Sequence, residues 1–520
     1  MKFKLNKDNS KLILTESTKG EYNQLKLYLT RKVHNYRFMK RFKLGVWDGS
    51  ISYFGNPGGS IDFGLWQEIY KCCKEYGYKF IIENQEQFPR NKDILRENVQ
   101  DFVTEFYKDH KTPDGKPFMP YEHQVDAIFQ LLKHQYGLIE IATAGGKSLV
   151  FGTLLFYYLK NINTNAKFLL IVPSISLVTQ FYNDLNDYNY GFNNDNKNPI
   201  DIRIDEVMSD KPRKYRDGEK IPNIYIGTYQ SLEKYPKTFF DQFEVVACDE
   251  AHTAKAITIQ TILTKTFGVA KLRFGMSGSY PSDSSIEILT IQSLMGPKLI
   301  NISARKLIDK GLISDLKIKV IMLHHDNHKF AEGVNNIKKT DGQRAWILER
   351  EYVHNSAKRK TFIKNLTDKF KSNSLILFHT ITYGTELYNY IKDNCIGKDV
   401  FYIDGTTSTE KREYIKKKLE DTSGNPKILL ASFGVFSVGV SVKAITNIIF
   451  ADSYKEPKII RQAIGRGLRL HKEKTKLIVF DLVDIFHPDY KTILWKQYES
   501  RRDEVYKKQQ YPYDELKVKL

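Results

Sequence analysis

Cysteine is scarce in this chain. Its 520 residues hold four (Cys72, Cys73, Cys248 and Cys395), none in Cys-x-x-Cys spacing. Neither a disulfide scaffold nor a zinc framework is therefore expected, and a reducing compartment fits. No apolar run approaches the roughly 20 residues needed to span a bilayer. The opening MKFKLNKDNSK has no apolar core of a secretory signal, so a soluble, cytoplasmic protein is expected. Acids are outnumbered, 61 Asp and Glu against 80 Lys and Arg, and the net charge of +19 suits a polyanionic partner. Nucleic acid is the first candidate and an anionic membrane surface the second. Core-forming residues are not lacking: 41% hydrophobic and 13% aromatic content exclude global disorder. The length exceeds one core and suggests roughly three domains.

Residues 1–108 read as a small basic α+β domain. Alternation in Lys2-Phe-Lys-Leu5 and Lys11-Leu-Ile-Leu14 predicts strands, and residues 65–76 predict an amphipathic helix. Through Trp47 the chain carries twelve Lys and Arg against three acids, so nearly half the surplus charge lies in its first tenth. Arg31, Lys32, Arg37, Lys40 and Arg41 are interleaved with Tyr36, Phe38, Phe42 and Trp47. The cations suit phosphates; the aromatics are either stacking surfaces for bases or core. A Pro- and Gly-bearing linker at 109–120 follows.

Beyond it the pattern changes to strand and helix in alternation, with strands predicted at 167–173, 224–228, 243–249 and 273–277. The rhythm restarts after a connection near 306–316, with strands at 374–379, 400–404, 427–431, 447–451 and 477–481. Thr407-Ser-Thr-Glu410 reads as a capping box. Uninterrupted apolar runs between amphipathic helices predict parallel sheets covered on both faces, here in two tandem units. The domains so read are 1–108, 109–310, 311–484 and a C-terminal helix and tail at 485–520. His324, His325 and His328 have only Asp326 as a further ligand type nearby, which favours a loop over a metal site.

The chemistry starts at Gly137-Leu-Ile-Glu-Ile-Ala-Thr-Ala-Gly-Gly-Lys-Ser148, an apolar strand, a tight loop and the start of an apolar helix. That is the context of a phosphate-binding loop, in which main-chain N–H groups and the helix N-terminus cradle a polyphosphate. The candidate nucleotide-binding residues are Thr143, Gly145, Gly146, Lys147 and Ser148, with Ser148 also a ligand for Mg²⁺. Two positions depart from the strict pattern: Ile141 and Ala144 stand where glycine is usual. About a hundred residues on, the apolar strand Val245-Val-Ala-Cys248 ends in Asp249 and Glu250. At a strand's carboxyl end Asp249 can hold Mg²⁺ while Glu250 deprotonates an attacking water. The two motifs together point to ATP hydrolysis.

Asp249-Glu-Ala-His252 resembles the Walker B box, here of DEAH form, of superfamily 2 helicases and translocases, and further boxes follow in that family's order. Gln124 resembles its adenine-reading glutamine. Val172-Pro-Ser-Ile-Ser-Leu-Val-Thr-Gln180 and Ile226-Gly-Thr-Tyr-Gln-Ser-Leu232 resemble boxes that grip the nucleic-acid backbone, through Ser174, Thr228 and Gln230. Phe274-Gly-Met-Ser-Gly-Ser279 is similar to the box coupling hydrolysis to movement through Ser277 and Ser279. In the second unit Leu375-Ile-Leu-Phe-His379 and the stretch from Ser432 to Gly439 resemble two more. They imply strand contacts by His379, Thr380 and Ser432 and a nucleotide contact by Gly439. Gln462-Ala-Ile-Gly-Arg-Gly-Leu-Arg469 matches the last box at every specified position. On a helix Gln462, Arg466 and Arg469 would share a face, and arginines supplied across a cleft neutralise a transferring phosphoryl group.

Within that superfamily the chain is similar to the UvsW-type recombination and repair helicases of T-even-like phages. Tyr36-Arg-Phe38, Gly45-Val-Trp-Asp-Gly49, Phe63-Gly-Leu65 and Tyr76-Gly-Tyr-Lys79 resemble their additional DNA-binding domain, and Ser441 resembles their form of the fifth box. The chain has Ala251 where cysteine is expected, a position that touches no metal. The resemblance implies two RecA-like domains, ATP and Mg²⁺ as cofactors, and 3′→5′ unwinding of forks, Holliday junctions, D-loops and R-loops. It also implies a monomer acting in the infected host's cytoplasm. A duplex translocase that separates no strands, an RNA helicase and a non-enzymatic annealing protein are the rival readings.

Overall fold

Lys2–Leu5 (β1) and Lys11–Glu16 (β2) pair antiparallel, and their inward side chains, Phe3, Leu5 and Leu12, are buried, as period-two patterning requires. The computed structural model to which they belong describes residues 1–520 apart from 34, 56–58, 89–90, 92, 209–212, 214–218, 284, 439–441 and 488–490. Gly439 and Ser441 therefore lie outside the described residues. The chain divides into two compact units, one of Met1–Ile141 and Gly146–Ile302, the other of Ala142–Gly145 and Ser303–Leu520.

Thr30–Lys32 (β3) and Ser50–Ser52 (β4) form a separate ribbon, whereas Ser60–Asp62 (β5) and Ile81–Ile82 (β6) complete a sheet in the order β5-β2-β1-β6. The helix Lys19–Tyr28 starts at a reciprocal cap: Thr18 Oγ1 accepts from Glu21 N, and Glu21 Oε2 accepts from Thr18 N at 2.7 Å. The helix Trp66–Glu75 buries Ile69, Cys72 and Cys73. Burial pushes the Cys72 thiol up to about 12, and all four cysteines are free and buried, in keeping with a fold that needs no disulfide. This sheet packs against the helix Ile286–Met295. A Cβ at Gly64 would lie 2.0 Å from the Gln292 carbonyl oxygen, and the Tyr53 hydroxyl reaches the Ile286 carbonyl at 3.2 Å.

The excursion between β3 and β4 answers the question left open for the basic–aromatic segment. Among its described residues only Gly49 is buried; Phe38 is 76% exposed, Leu44 64% and Val46 68%. Tyr36, Phe42 and Trp47 are half-buried, against one another or their own turn. These aromatics are not core.

The first parallel sheet comprises Tyr136–Ile141 (β7), Phe168–Val172 (β8), Ile204–Val207 (β9), Ile224–Thr228 (β10), Val245–Asp249 (β11), Leu272–Ser277 (β12) and Lys298–Ile302 (β13). Their order is β13-β7-β12-β11-β8-β10-β9, and every neighbouring pair is parallel. Leu170, Ala247 and Phe274 face one core, Leu169 and Val246 the other, which is why the strands read as continuous apolar runs. Two edge strands had no such signature: β9 carries two acids in four residues, and β13 is only half-buried.

The second sheet comprises Asp315–His324 (β14), Ser374–Phe378 (β15), Asp399–Ile403 (β16), Lys427–Ser432 (β17), Asn447–Phe450 (β18), Lys476–Ile485 (β19) and Tyr513–Lys519 (β20). The order is β16-β17-β15-β18-β19-β14-β20, again parallel throughout. Two expectations change here. The connection leads into a ten-residue strand that His324 ends; His325 lies in the short loop that follows, as expected, and His328 starts the next helix. No group of three or more metal-ligating side chains forms among the described residues. The C-terminal stretch has its helix, Ile493–Arg501, but ends in an edge strand beside β14 rather than a tail. The helix Thr409–Glu420 is capped by Ser408, not Thr407, whose hydroxyl instead bonds Asp404. Among the described residues no helix is long and apolar enough to cross a membrane.

Buried charge fixes the second unit's last elements. Arg501 donates to both carboxylate oxygens of Asp481, at 3.2 and 2.9 Å, and to Ser453 Oγ at 2.9 Å, while the Tyr506 hydroxyl also donates to Asp481. Lys474 is buried and its Nζ donates to the carbonyls of Gly467, Arg469 (3.0 Å) and Lys443 (3.1 Å). Burial, opposed only in part by Glu420, lowers its pKa to about 8.

Arg501→Met leaves Asp481 buried without its cation and is expected to cost about 3–5 kcal/mol, read as a lower urea midpoint. For Lys474 the unfolded chain keeps its proton up to the ordinary 10.5, whereas the folded chain releases it near 8. Unfolding therefore takes up a proton between these values, so this group's contribution to stability grows with pH across the window and is lost as pH falls through about 8. The stability of the wild type relative to Lys474→Met should rise from pH 7.5 to pH 10; urea titrations of both at a series of pH values check it.

Candidate active site

Three adjacent parallel strands, β7, β12 and β11, deliver the main chemical groups to one sheet edge. Their register aligns Ile139 with Met276 and Met276 with Asp249. The loop after β7 turns into the helix Lys147–Asn161 at Gly146, whose φ is +82°. A Cβ there would also meet Gln124 Nε2 at 2.1 Å. Glycine thus serves both the turn and the approach of Gln124, which is 2% exposed and accepts from Tyr121 N through Oε1 at 2.7 Å. Ala144, at a position where such loops often carry glycine, does adopt the left-handed region, with φ +71°, at a cost of roughly 1–2 kcal/mol. Lys147 Nζ donates to the Ile141 carbonyl at 3.2 Å, folded back over its own loop. Ser148 Oγ lies 3.0 Å from the Tyr188 hydroxyl. Thr143 and Gly145 occupy the turn itself, closed by a bond from Gly145 N to Ala142 O at 2.9 Å.

Asp249 is the last residue of β11 and 6% exposed. Glu250 follows in the left-handed region at φ +49°, a strained conformation for a side-chain-bearing residue. His252 Nδ1 lies 3.1 Å from Glu250 Oε2 and 2.8 Å from Ser277 Oγ. Ser277 spends its hydroxyl proton on the Ser279 carbonyl at 2.8 Å, so it accepts from His252, and the imidazole carries its proton on Nδ1. A histidine thus ties Glu250, just after β11, to Ser277 at the end of β12. Beneath them burial, reinforced by Asp249 and Glu250, drives the Cys248 thiol pKa far up, which keeps it protonated and unreactive.

In the second unit the carboxyl edge is organised by Asp452, which the sequence reading did not single out. Its Oδ2 accepts from the main-chain N–H groups of His379 (3.1 Å) and Thr380 (3.2 Å), and its Oδ1 lies 3.3 Å from His354 Nε2. Burial would raise this carboxyl's pKa, but His354, Arg359 and the amides outweigh it and hold it below the usual range. Arg359 bonds Asp484, the Tyr383 hydroxyl and the Ala451 carbonyl, locking the ends of β18 and β19 together. Ser432 ends β17 and is buried. Gln462 and Arg466 lie one turn apart on the helix Pro457–Gly467. Arg469 does not share that helix face: the helix stops at Gly467, and the Arg469 carbonyl is taken up by Lys474 and by Ser314 Oγ.

The remaining predicted nucleic-acid residues fall into two sets. Ser174 and Gln230 sit at the carboxyl ends of β8 and β10, whereas Thr228 is buried with its hydroxyl capping the helix Tyr229–Leu232. Arg31, Lys32, Arg37, Lys40 and Arg41 belong to β3 and the exposed excursion after it. Lys32 Nζ is paired with Asp48, and Arg37 Nε reaches the Tyr36 hydroxyl. The sequence reading missed Asp452, Lys474, Tyr188 and the role of His252. Only His252 left a signal, as the fourth letter of its box.

Comparison with known proteins agrees with this geometry. Family models match at residues 2–83 (DNA helicase UvsW, N-terminal), 117–282 (type III restriction enzyme, res subunit) and 357–471 (helicase conserved C-terminal domain). The chain is 30% identical over 468 residues to the ATP-dependent DNA helicase uvsW of Enterobacteria phage T4, covering 89% of this chain and 87% of that protein. It is 23% identical over 391 residues to the DNA 3′-5′ translocase XPB2 of Sulfurisphaera tokodaii, covering 69% of this chain and 80% of that one. Among solved structures, the ATP-dependent type ISP restriction-modification enzyme LlaBIII bound to DNA aligns with TM-score 0.56 at 14% identity, over 87% of this chain and 36% of that one; this likeness concerns the fold. With a phosphate loop and paired acids at one edge of the first parallel sheet, a second parallel sheet and 30% identity over 89% of its length, the chain belongs to the UvsW family of ATP-dependent DNA helicases.

Proposed function

We propose that this chain uses ATP hydrolysis to unwind branched DNA and RNA–DNA hybrids in the 3′→5′ direction. The observation that carries the reading is the meeting of Lys147, Ser148, Asp249, Glu250 and Ser277 at the ends of three neighbouring parallel strands. Identity to the T4 helicase supports DNA as the substrate, and the archaeal relative's name supports the polarity.

Lys147 and the amides of the loop, Thr143 and Gly145 among them, hold the phosphates, and Gln124 reads the adenine. Ser148 and Asp249 offer a hydroxyl and a carboxylate, hard oxygen donors that fit Mg²⁺; bound there with ATP, the ion would neutralise phosphate charge. Glu250 takes a proton from the attacking water, and His252 holds its carboxylate in place. Arg466 and Arg469 neutralise charge on the departing phosphoryl group, with Gly439 a further nucleotide contact. Ser277, Ser279 and Gln462 pass the change in the phosphates to the strand-gripping residues. Those are Ser174, Thr228 (through its main chain), Gln230, His379, Thr380 and Ser432. In this reading 109–310 forms the ATP-binding domain, 311–484 the arginine-bearing domain, 485–520 its C-terminal addition and 1–108 a DNA-binding domain that adds affinity for duplex and junction.

Lys147→Ala is expected to lower DNA-stimulated phosphate release by at least about a hundredfold while DNA affinity stays nearly unchanged; retained turnover would refute the loop assignment. Replacing Arg37, Lys40 and Arg41 together by alanine should flatten the dependence of log affinity on log salt by about 2 to 3. Fluorescence anisotropy on a forked duplex at several salt concentrations measures it, and an unchanged slope would move the phosphate contacts elsewhere. Strand displacement on a fork, set against triplex displacement on blunt duplex, separates unwinding from translocation alone.

A further inference from the structure

The second unit holds a cavity of 610 Å³ whose lining, His379 apart, lies outside the family's boxes. It opens at the carboxyl ends of β15 and β18, between the helices Gly342–Asn355 and Ile493–Arg501, and its walls include Trp346, His379, Tyr454, Lys455, Lys496 and Gln497. Its volume is that of a ligand pocket, and three aromatic or heteroaromatic rings line it. Arg350 lies over the Trp346 indole, 4.3 Å from the ring centroid. Lys455 and Lys496 outnumber Glu456, the one acid in the lining. Arg501 braces the wall through Ser453 Oγ and the Tyr454 carbonyl.

We infer that this cavity receives one unstacked nucleobase of the bound strand, stacked on the Trp346 ring. The inference rests on the nucleic-acid reading above, because His379 belongs both to the proposed backbone grip and to the cavity wall. A strand gripped beside His379 brings a sugar and base to the cavity mouth, with Lys455 and Lys496 serving the neighbouring phosphates. An aromatic face suits any base, so the site confers affinity without sequence preference. It also lies directly before the helix Pro457–Gly467, which carries Gln462 and Arg466, so a base seated there abuts the segment that leads into the arginine box.

The test compares two strands of roughly twelve nucleotides, a length within the usual footprint of single-strand binders. One is oligothymidine; the other has the same backbone with every base replaced by an abasic sugar. The full-length wild type is expected to bind oligothymidine about tenfold tighter, near the lower end of what one base stacked on one ring contributes. Trp346→Ala should erase that preference by losing affinity for oligothymidine alone, and Trp346→Phe should keep most of it. Melting temperatures of both variants check that the fold is intact. Equal loss on both strands, or no loss on either, would overturn the base pocket while leaving the motor reading standing. Failure of the wild type to bind either strand would overturn the nucleic-acid reading itself.

Discussion

The whole arrangement depends on burial of two parallel sheets on both faces. A strand covered above and below by helices has no solvent face along its length, so polar chemistry can emerge only where it ends. In the first unit β7, β11 and β12 are all but fully buried up to their last residues; Asp249 and Ser277 end β11 and β12, and Lys147 follows the loop after β7. The apolar packing and the site are one constraint seen from two ends.

Strain and close approach accumulate at the same edge. Ala144 and Glu250 hold left-handed backbone, and Gly146 combines a positive φ with a contact that admits no side chain. Non-glycine residues in such conformations persist only where the surroundings over-determine them. Here those surroundings are a helix N-terminus on one side and the His252–Ser277 link on the other. The second unit solves a comparable problem with charge. Asp452 and Asp484 sit buried at or near strand ends and Asp481 within β19, and each is satisfied by arginine, histidine or main-chain amides. Buried ionic networks of this kind are costly to break and fix one geometry, which matters for an edge that must present His379, Ser453 and Tyr454 in set positions.

The N-terminal domain shows the opposite economy. Its core is small, packed on the helix Ile286–Met295, while its most basic stretch projects between β3 and β4 with apolar and aromatic side chains uncovered. Cations alone would serve phosphate contact; exposed Phe38, Leu44 and Val46 add apolar surface that a monomeric fold has no reason to display.

Sequence by itself determined which side chains gather at the candidate site's edge of the first sheet. Continuous apolar runs identified the central strands, and the residues at their ends follow from strand and loop adjacency in the chain, because local covalent order sets which side chain leaves a strand last. The edge strands β9, β13 and β20 and the first strand of the second sheet were not legible in the sequence, since charge or a mixed pattern hides the period of a strand that is only partly covered. Whether the N-terminal aromatics were core or surface, where the last arginine of the box falls relative to its helix, and which groups Asp452 and Lys474 serve were decided by tertiary structure alone. Each depends on partners distant in the chain: Asp452 is joined to amides 73 residues away, and Lys474 bonds a carbonyl 31 residues upstream. No spacing rule links such positions. They meet only because the sheet order brings β15 beside β18, and β18 beside β19.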